Sequence, residues 1–256
     1  MNGLERQRYN RNILLPEIGT AGQETLLASR VLVVGAGGLG SPLLLYLAAA
    51  GVGHLGIIDD DLVSLSNLQR QILHATEDLD RPKVTSALET LSSLNPGIHV
   101  TPYNERLTEQ NVHPLAHQYD LVVVACDNFE TRTIVNAACM HQKKPMLTAA
   151  VSGFSGQIYT FKPYLGSACY RCIYPNLPTS NLVPPLASNA FEDGILGSVA
   201  GVLGSWLSTE VVKELLNIGE SLAGQILILD VLRNNFRKLH IPRDPVCSFC
   251  RKSQTD

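Results

Sequence analysis

The chain has 256 residues, 45% of them hydrophobic and 17% charged, with a formal net charge of −3; it is long enough to bury a substantial α/β core. It holds no run of Lys and Arg of the kind that draws nucleic acid or an anionic membrane surface. The apolar runs at 31–34, 121–125 and 226–229 are strand-length, far short of the roughly 20 residues that span a bilayer. The start, Met1-Asn2-Gly3-Leu4-Glu5-Arg6, lacks the apolar stretch of a signal peptide. The expected compartment is therefore the cytoplasm, where cysteines stay reduced and paired cysteines point to metal before disulfides.

In chain order, residues 1–30 read as a helical arm carrying Arg8-Tyr9-Asn10-Arg11 near its start. A strand at 31–34, a helix near 41–50, a turn at Gly51-Val52-Gly53 and a strand at 54–59 follow. Asp59-Asp60-Asp61 opens a polar segment containing Ser66-Asn67-Leu68-Gln69-Arg70-Gln71. Pro82 suits the first turn of a helix over 82–94, whose Val84, Leu88, Leu91 and Leu94 line one face. A strand at 98–102, a helix near 108–117, a strand at 120–125 and a helix beginning near Phe129 continue the alternation. Beyond about 145 the pattern changes. Residues 145–150 fit one more strand, and 156–161 and 225–230 fit antiparallel strands. Residues 175–193 read as a long mobile loop retained for function, and 195–217 as a helix. Small residues in that helix, Gly197, Ser198, Gly201, Gly204 and Ser205, serve either close approach of another element or tight helix packing. The expected fold is one Rossmann-like, doubly wound α/β domain over 1–256. It comprises the arm (1–30), a nucleotide-binding part (31–150) on a mostly parallel sheet, and an antiparallel, zinc-tied part (151–256).

Residues 31–40 read Val-Leu-Val-Val-Gly-Ala-Gly-Gly-Leu-Gly, and nineteen residues later the chain reads Asp59. An apolar strand, a glycine turn, a helix and a second strand ending in a carboxylate suit a nucleotide held at a helix N-terminus. Gly35 allows the tight turn, Gly37 lets backbone approach the ligand, Gly40 lets the helix pack closely, and Asp59 is placed for a ribose hydroxyl. A purely structural turn is the competing reading. Asn67, Arg70, Gln71 and Lys83 then bring cations that hydride transfer does not need and a phosphoanhydride does. Taken singly, Arg70 and Lys83 read equally as surface cations. Asp127-Asn128 follows a strand end, where open parallel sheets bind ligands. Asp127 there suits Mg²⁺; the alternative is an N-cap for the helix beginning near Phe129, and the two combine if Asn128 caps while Asp127 faces the ligand.

These residues carry a resemblance. Arg8-Tyr9-Asn10-Arg11, the glycine run 35–40, Asp59-Asp60-Asp61, the run 66–71, Arg81-Pro82-Lys83 and Asp127-Asn128 resemble the bacterial ThiF and MoeB adenylyltransferases, relatives of the ubiquitin-activating enzymes, with the run 71–83 closer to the ThiF type. The resemblance implies an enzyme that binds Mg·ATP and the Gly-Gly tail of a ubiquitin-like sulfur-carrier protein. The carrier's carboxylate attacks the α-phosphate, and pyrophosphate leaves. It implies nucleotide contacts from Gly35, Gly37, Gly38 and Gly40, from Asp59 and Asp61, and from Asn67, Arg70, Gln71 and Lys83. Asp127 with Asn128 lies at the phosphates, Asp127 holding Mg²⁺. Arg70, Lys83, Asp127 and Arg11 are the catalytic set, with Arg11 reaching the site of the other subunit in a homodimer. A surface Arg is the plain alternative for Arg11.

Cys169-Tyr170-Arg171-Cys172 and Cys247-Ser248-Phe249-Cys250 are two C-x-x-C pairs, which together make a tetrahedral Cys₄ zinc site of structural type. Cys126 and Cys139 read as buried and inert. No cysteine lies in 173–246, and Ala190 stands where many relatives carry one in the long loop. The reading is that this enzyme stops at adenylation, and a separate donor such as a cysteine desulfurase or rhodanese supplies sulfur. An NAD-dependent oxidoreductase, a non-catalytic scaffold and an activator of another carboxylate are the competing functions.

Overall fold

A computed structural model describes residues 1–175 and 194–250. The arm is three helices, α1 (Gly3–Arg8), α2 (Asn10–Ile13) and α3 (Gly19–Ala28). In chain order there follow β1 (Arg30–Val34), α4 (Gly40–Ala50), β2 (His54–Ile58), α5 (Lys83–Leu94), β3 (His99–Tyr103), α6 (Glu109–His117), β4 (Leu121–Val124) and α7 (Phe129–His141). The remainder is β5 (Met146–Ser152), β6 (Ser155–Phe161), α8 (Tyr170–Ile173), α9 (Gly197–Leu216), β7 (Gln225–Asp230) and β8 (Asn235–His240).

Among the described residues the strands form one sheet in the order β3-β2-β1-β4-β5-β6-β7-β8. Pairings from β3 through β5 are parallel, and those from β5 through β8 antiparallel. The fold is thus mixed α/β with antiparallel strands added at one end, as expected. The central strands are continuous apolar runs because both faces of the sheet are covered. Alternation sorts their side chains: Val31, Val33 and Val123 join the core beneath α4, α5 and α9, while Leu32, Val34, Val122 and Val124 join the one beneath α6 and α7. The chain leaves β1 toward β2 on one side and returns to β4 on the other, so the crevice opens at the carboxyl end of β1.

Three details depart from the sequence reading. β8 was not expected: its sequence, NFRKLH, is largely exposed on both faces and lacks any apolar alternation, so only its pairing with β7 reveals it. Leu94 is 40% exposed at the last turn of α5. The inward contact there comes from Asn95, which is fully buried and donates to Tyr9 Oη at 2.8 Å and to the Ala48 carbonyl at 2.7 Å, tying arm to core. The small residues of α9 divide in role. A Cβ on Gly204 would sit 2.4 Å from the Leu39 carbonyl oxygen, so α9 lies hard against the start of α4, whereas one on Gly201 meets nothing within 4 Å. The loop reading for 176–193, with Ala190, lies outside the described residues.

Candidate functional site

The crevice is built around the turn from β1 to α4. Gly35 has φ +102°, open to glycine, and donates its N–H to the Ile58 carbonyl at 2.9 Å, so β2 fixes the turn's first residue. A Cβ on Gly40 would stand 2.1 Å from the Gly35 carbonyl oxygen; the first turn of α4 therefore packs directly on the loop. Gly37, Gly38 and Leu39, just ahead of α4, line a cavity of about 470 Å³. Amides entering a helix have no preceding turn to accept their hydrogens, which makes this end receptive to anions.

Asp59 lies just past β2 on the same cavity. Its Oδ2 accepts the Ala36 N–H at 2.8 Å and its Oδ1 the Asp61 N–H at 2.9 Å. Burial pushes its carboxyl above the ordinary range, against the pull of Lys83 and of these two amides. The 3-10 turn Leu65–Asn67 and the residues after it form one wall. There Gln71 Nε2 donates to Asn67 Oδ1 at 3.1 Å, while Gln71 Oε1 is buried without a partner. Arg70 lies along the cavity wall, where its Nη1 donates to the Ser66 carbonyl at 3.3 Å. Lys83, at the start of α5, is 4% exposed, and its Nζ lies 2.7 Å from Asp61 Oδ2. A cation at a helix N-terminus is disfavoured by the macrodipole; Asp61, 67% exposed, offsets that and leaves the ammonium at the cavity.

Asp127, beyond β4, lines the opposite wall. Asn128 turns the other way: its Oδ1 accepts the Thr131 N–H at 2.7 Å and caps α7. The two neighbours thus divide capping and cavity between them. Among the expected site residues, Gly40 supports the loop from behind, Asn128 is spent on the cap, and Arg11 is exposed on α2, away from this cavity. The structure adds residues that the sequence did not single out. Arg132, one helical turn after Asn128, is 6% exposed; its Nη2 donates to the carbonyls of Cys126 at 2.9 Å and Ala149 at 3.0 Å, joining the loop after β4 to β5. Phe129, Val151 and Ile195 supply apolar wall. Cys126 corrects the expectation of a buried strand-end cysteine: it lies two residues past β4, half-buried on the cavity wall, and burial pushes its thiol up, which agrees with an inert role. Cys139 is buried, with its thiol pushed up to about 12 by burial.

The two C-x-x-C pairs converge between α8 and the chain after β8. The Sγ atoms of Cys169 and Cys172 are 3.7 Å apart, those of Cys169 and Cys247 3.8 Å, and those of Cys172 and Cys250 3.6 Å. Thiolates at about 2.3 Å from a tetrahedral zinc stand about 3.8 Å from one another, so the cluster fits zinc and excludes disulfides as it stands. Burial pushes the Cys169 thiol up, and that of Cys250 to about 11. A divalent cation is what would make four clustered thiolates, three of them buried, tolerable.

The sequence profile of the ThiF family matches residues 9–249. A sulfur carrier protein adenylyltransferase of Thermus thermophilus is 44% identical over 255 residues, covering 98% of this chain and 93% of that protein. The sulfur carrier protein ThiS adenylyltransferase of Escherichia coli is 42% identical over 256 residues, covering 100% of this chain and 99% of that one. Among solved structures, E. coli MccB with ATP superposes with a TM-score of 0.80 at 24% identity, covering 97% of this chain and 75% of that chain, a likeness of fold. With a profile match spanning nearly its whole length and relatives above 40% identity, the chain belongs to the ThiF family.

Proposed function

We propose that this chain is an ATP-dependent adenylyltransferase that activates the C-terminal glycine of a small ubiquitin-like sulfur-carrier protein, releasing pyrophosphate. The observation that carries the reading is one cavity holding the glycine turn, the Asp59 carboxylate, two cations and Asp127. An NAD site needs the first two; a triphosphate needs the cations as well. The relatives named as adenylyltransferases agree.

Asp59 receives the ribose. Gly37 and Gly38 give the phosphates close backbone contact, and Asn67 and Gln71 line the same wall. Arg70 and Lys83 neutralise charge as it builds on the leaving pyrophosphate, Lys83 exchanging Asp61 for phosphate oxygens. The carrier's terminal carboxylate is already ionised near neutral pH. It needs alignment at the α-phosphate, not a general base, and forms the acyl–phosphate bond as the bond to pyrophosphate breaks. Asp127 would hold Mg²⁺, whose chemistry is charge neutralisation on the phosphates. Arg11, exposed on α2, is assigned to the site of a second copy in a homodimer. Cys169, Cys172, Cys247 and Cys250 hold structural zinc that ties the tail to α8. With no cysteine in 173–246, sulfur arrives from a separate donor. The carrier serves thiamine or a related sulfur-containing cofactor, and the enzyme works in the cytoplasm; no helix among the described residues is long and apolar enough to cross a membrane.

The test is isotope exchange of labelled pyrophosphate into ATP. Exchange that requires a carrier ending in Gly-Gly supports the reading. Absence of exchange with every such carrier, in protein that binds ATP, overturns it.

A further inference from the structure

Behind the nucleotide turn lies a buried polar chain with no place in the chemistry above. His74 is 7% exposed. Its Nε2 is 2.9 Å from the Ala36 carbonyl oxygen, and its Nδ1 is 2.8 Å from Ser86 Oγ on α5. Ser86 Oγ is in turn 2.8 Å from Asp78 Oδ2 in the 3-10 turn Thr76–Asp78. Asp78 Oδ1 pairs with Arg81 at 2.7 Å, and Arg81 with Glu89.

Ala36 sits between Gly35 and Gly37 and is fully buried. Its N–H is taken by Asp59 and its carbonyl by His74, so both peptide units around this residue are clamped. Whatever fixes these two planes also fixes the direction in which the chain enters Gly37 and Gly38. Asp59 is within the nucleotide site; His74 is not on the cavity wall and acts through the loop.

The carbonyl of Ala36 can only accept, so Nε2 carries hydrogen. The ionised Asp78 carboxylate can also only accept, so the Ser86 hydroxyl donates to it. The Nδ1 to Ser86 contact then needs a hydrogen on Nδ1. Three contacts need three hydrogens, and a neutral ring plus one hydroxyl supply two. The charged groups facing the ring are Asp78, Asp59 at the end of β2 and Lys83 at the start of α5.

We propose that His74 is a positioning residue that clamps the nucleotide-binding turn through Ala36, and that nucleotide binding completes this network by drawing one proton from solvent onto Nδ1. The proposal rests on the reading of the cavity as an ATP site. In the free protein, burial holds the ring below its ordinary range, so it is mostly neutral at pH 7. Seating a polyanion on the turn adds negative charge nearby, which favours the imidazolium. Affinity for ATP therefore tightens as pH falls toward 6.

The experiment compares wild type, His74→Phe and His74→Gln in the full chain, with Mg·ATP and no carrier. Phe keeps the ring's bulk but leaves the Ala36 carbonyl unheld, so the turn must be reordered when ATP binds, which raises the Kd for ATP about tenfold. Gln restores a neutral donor and most of the affinity, but it cannot titrate. Calorimetry in buffers of different ionisation enthalpy then reads about half a proton more taken up per ATP by wild type than by His74→Gln at pH 6. Affinity of folded His74→Phe within about twofold of wild type overturns the clamp, because an unheld turn is expected to cost about tenfold to reorder on binding. Equal proton uptake in wild type and His74→Gln overturns the third hydrogen. If His74→Phe does not fold, ¹⁵N shifts of the wild-type ring decide: both ring nitrogens protonated with saturating ATP at pH 6 supports the proposal, and one bare nitrogen refutes it. If ATP binds with this signature yet pyrophosphate never exchanges, His74 stands and the adenylation reading falls.

Discussion

Gly40→Ala isolates the geometry on which the site depends. The new methyl carbon would stand 2.1 Å from the Gly35 carbonyl oxygen, an approach that real side chains do not make below 3.0 Å. The atom in the way is backbone, so no side chain can rotate aside. Gly35 cannot retreat freely either, because its own Cα position faces the Ala125–Cys126 backbone, with 3.0 Å to a hypothetical Cβ. The turn and the first residues of α4 must therefore separate by about 1 Å, and a misplacement of that size costs about 10²-fold in rate. Over-packing adds about 1–3 kcal/mol of lost stability. Gly37→Ala is the matched control for the fold: its nearest neighbour would be Gln71 Nε2 at 3.6 Å, an ordinary contact. It should melt like wild type and lose ATP affinity alone. The assay is pyrophosphate exchange over a range of ATP concentrations, paired with thermal melts of both variants. Near-normal exchange by a folded Gly40→Ala protein would refute the account of the loop as a rigid platform.

Other consequences follow from the same geometry. Asp127→Ala should abolish Mg²⁺-dependent exchange while thermal melts stay near wild type, because the side chain is exposed and Asn128, not Asp127, caps α7; near-normal exchange removes Asp127 from the chemistry. Arg11→Ala and Arg70→Ala should each lose most activity, and verified mixed dimers of the two should regain part of it through one intact composite site; no rescue counts against a shared site. Cys250→Ser should lower zinc content by about one ion per chain and cost several kcal/mol in stability, on the scale of other structural zinc sites. Metal analysis with a thermal melt checks it, and an unchanged melt with full zinc content contradicts it.

Much of this molecule is legible in the sequence because its signals are local. The apolar runs of β1 and β4 announce strands buried on both faces, and the structure divides Val31 and Val33 from Leu32 and Val34 across the sheet as alternation requires. The glycine turn, Asp59 and the polar run after it mark the crevice because ligands gather at the ends of adjacent parallel strands. What escapes the sequence is what depends on distant partners. β8 exists by pairing with β7 and has no buried face of its own to print a pattern. Arg132 stands among Glu130, Thr131 and Thr133 and so reads as a surface cation; only the carbonyls of Cys126 and Ala149 give it a reason to be buried. His74 reads as an isolated polar residue until Ala36, 38 residues away, is seen to lie against it. Asn128, by contrast, is legible as the cap of α7 because that need is local.

The most direct measurement is the intact mass of a Gly-Gly-ended carrier after incubation with this protein, ATP and Mg²⁺, with released pyrophosphate counted alongside. The carrier should gain one adenylate, with one pyrophosphate released for each adduct formed, and neither product should appear when Lys83 is replaced by Ala. A carrier of unchanged mass, in the presence of folded protein with ATP bound in this cavity, would contradict the proposed function.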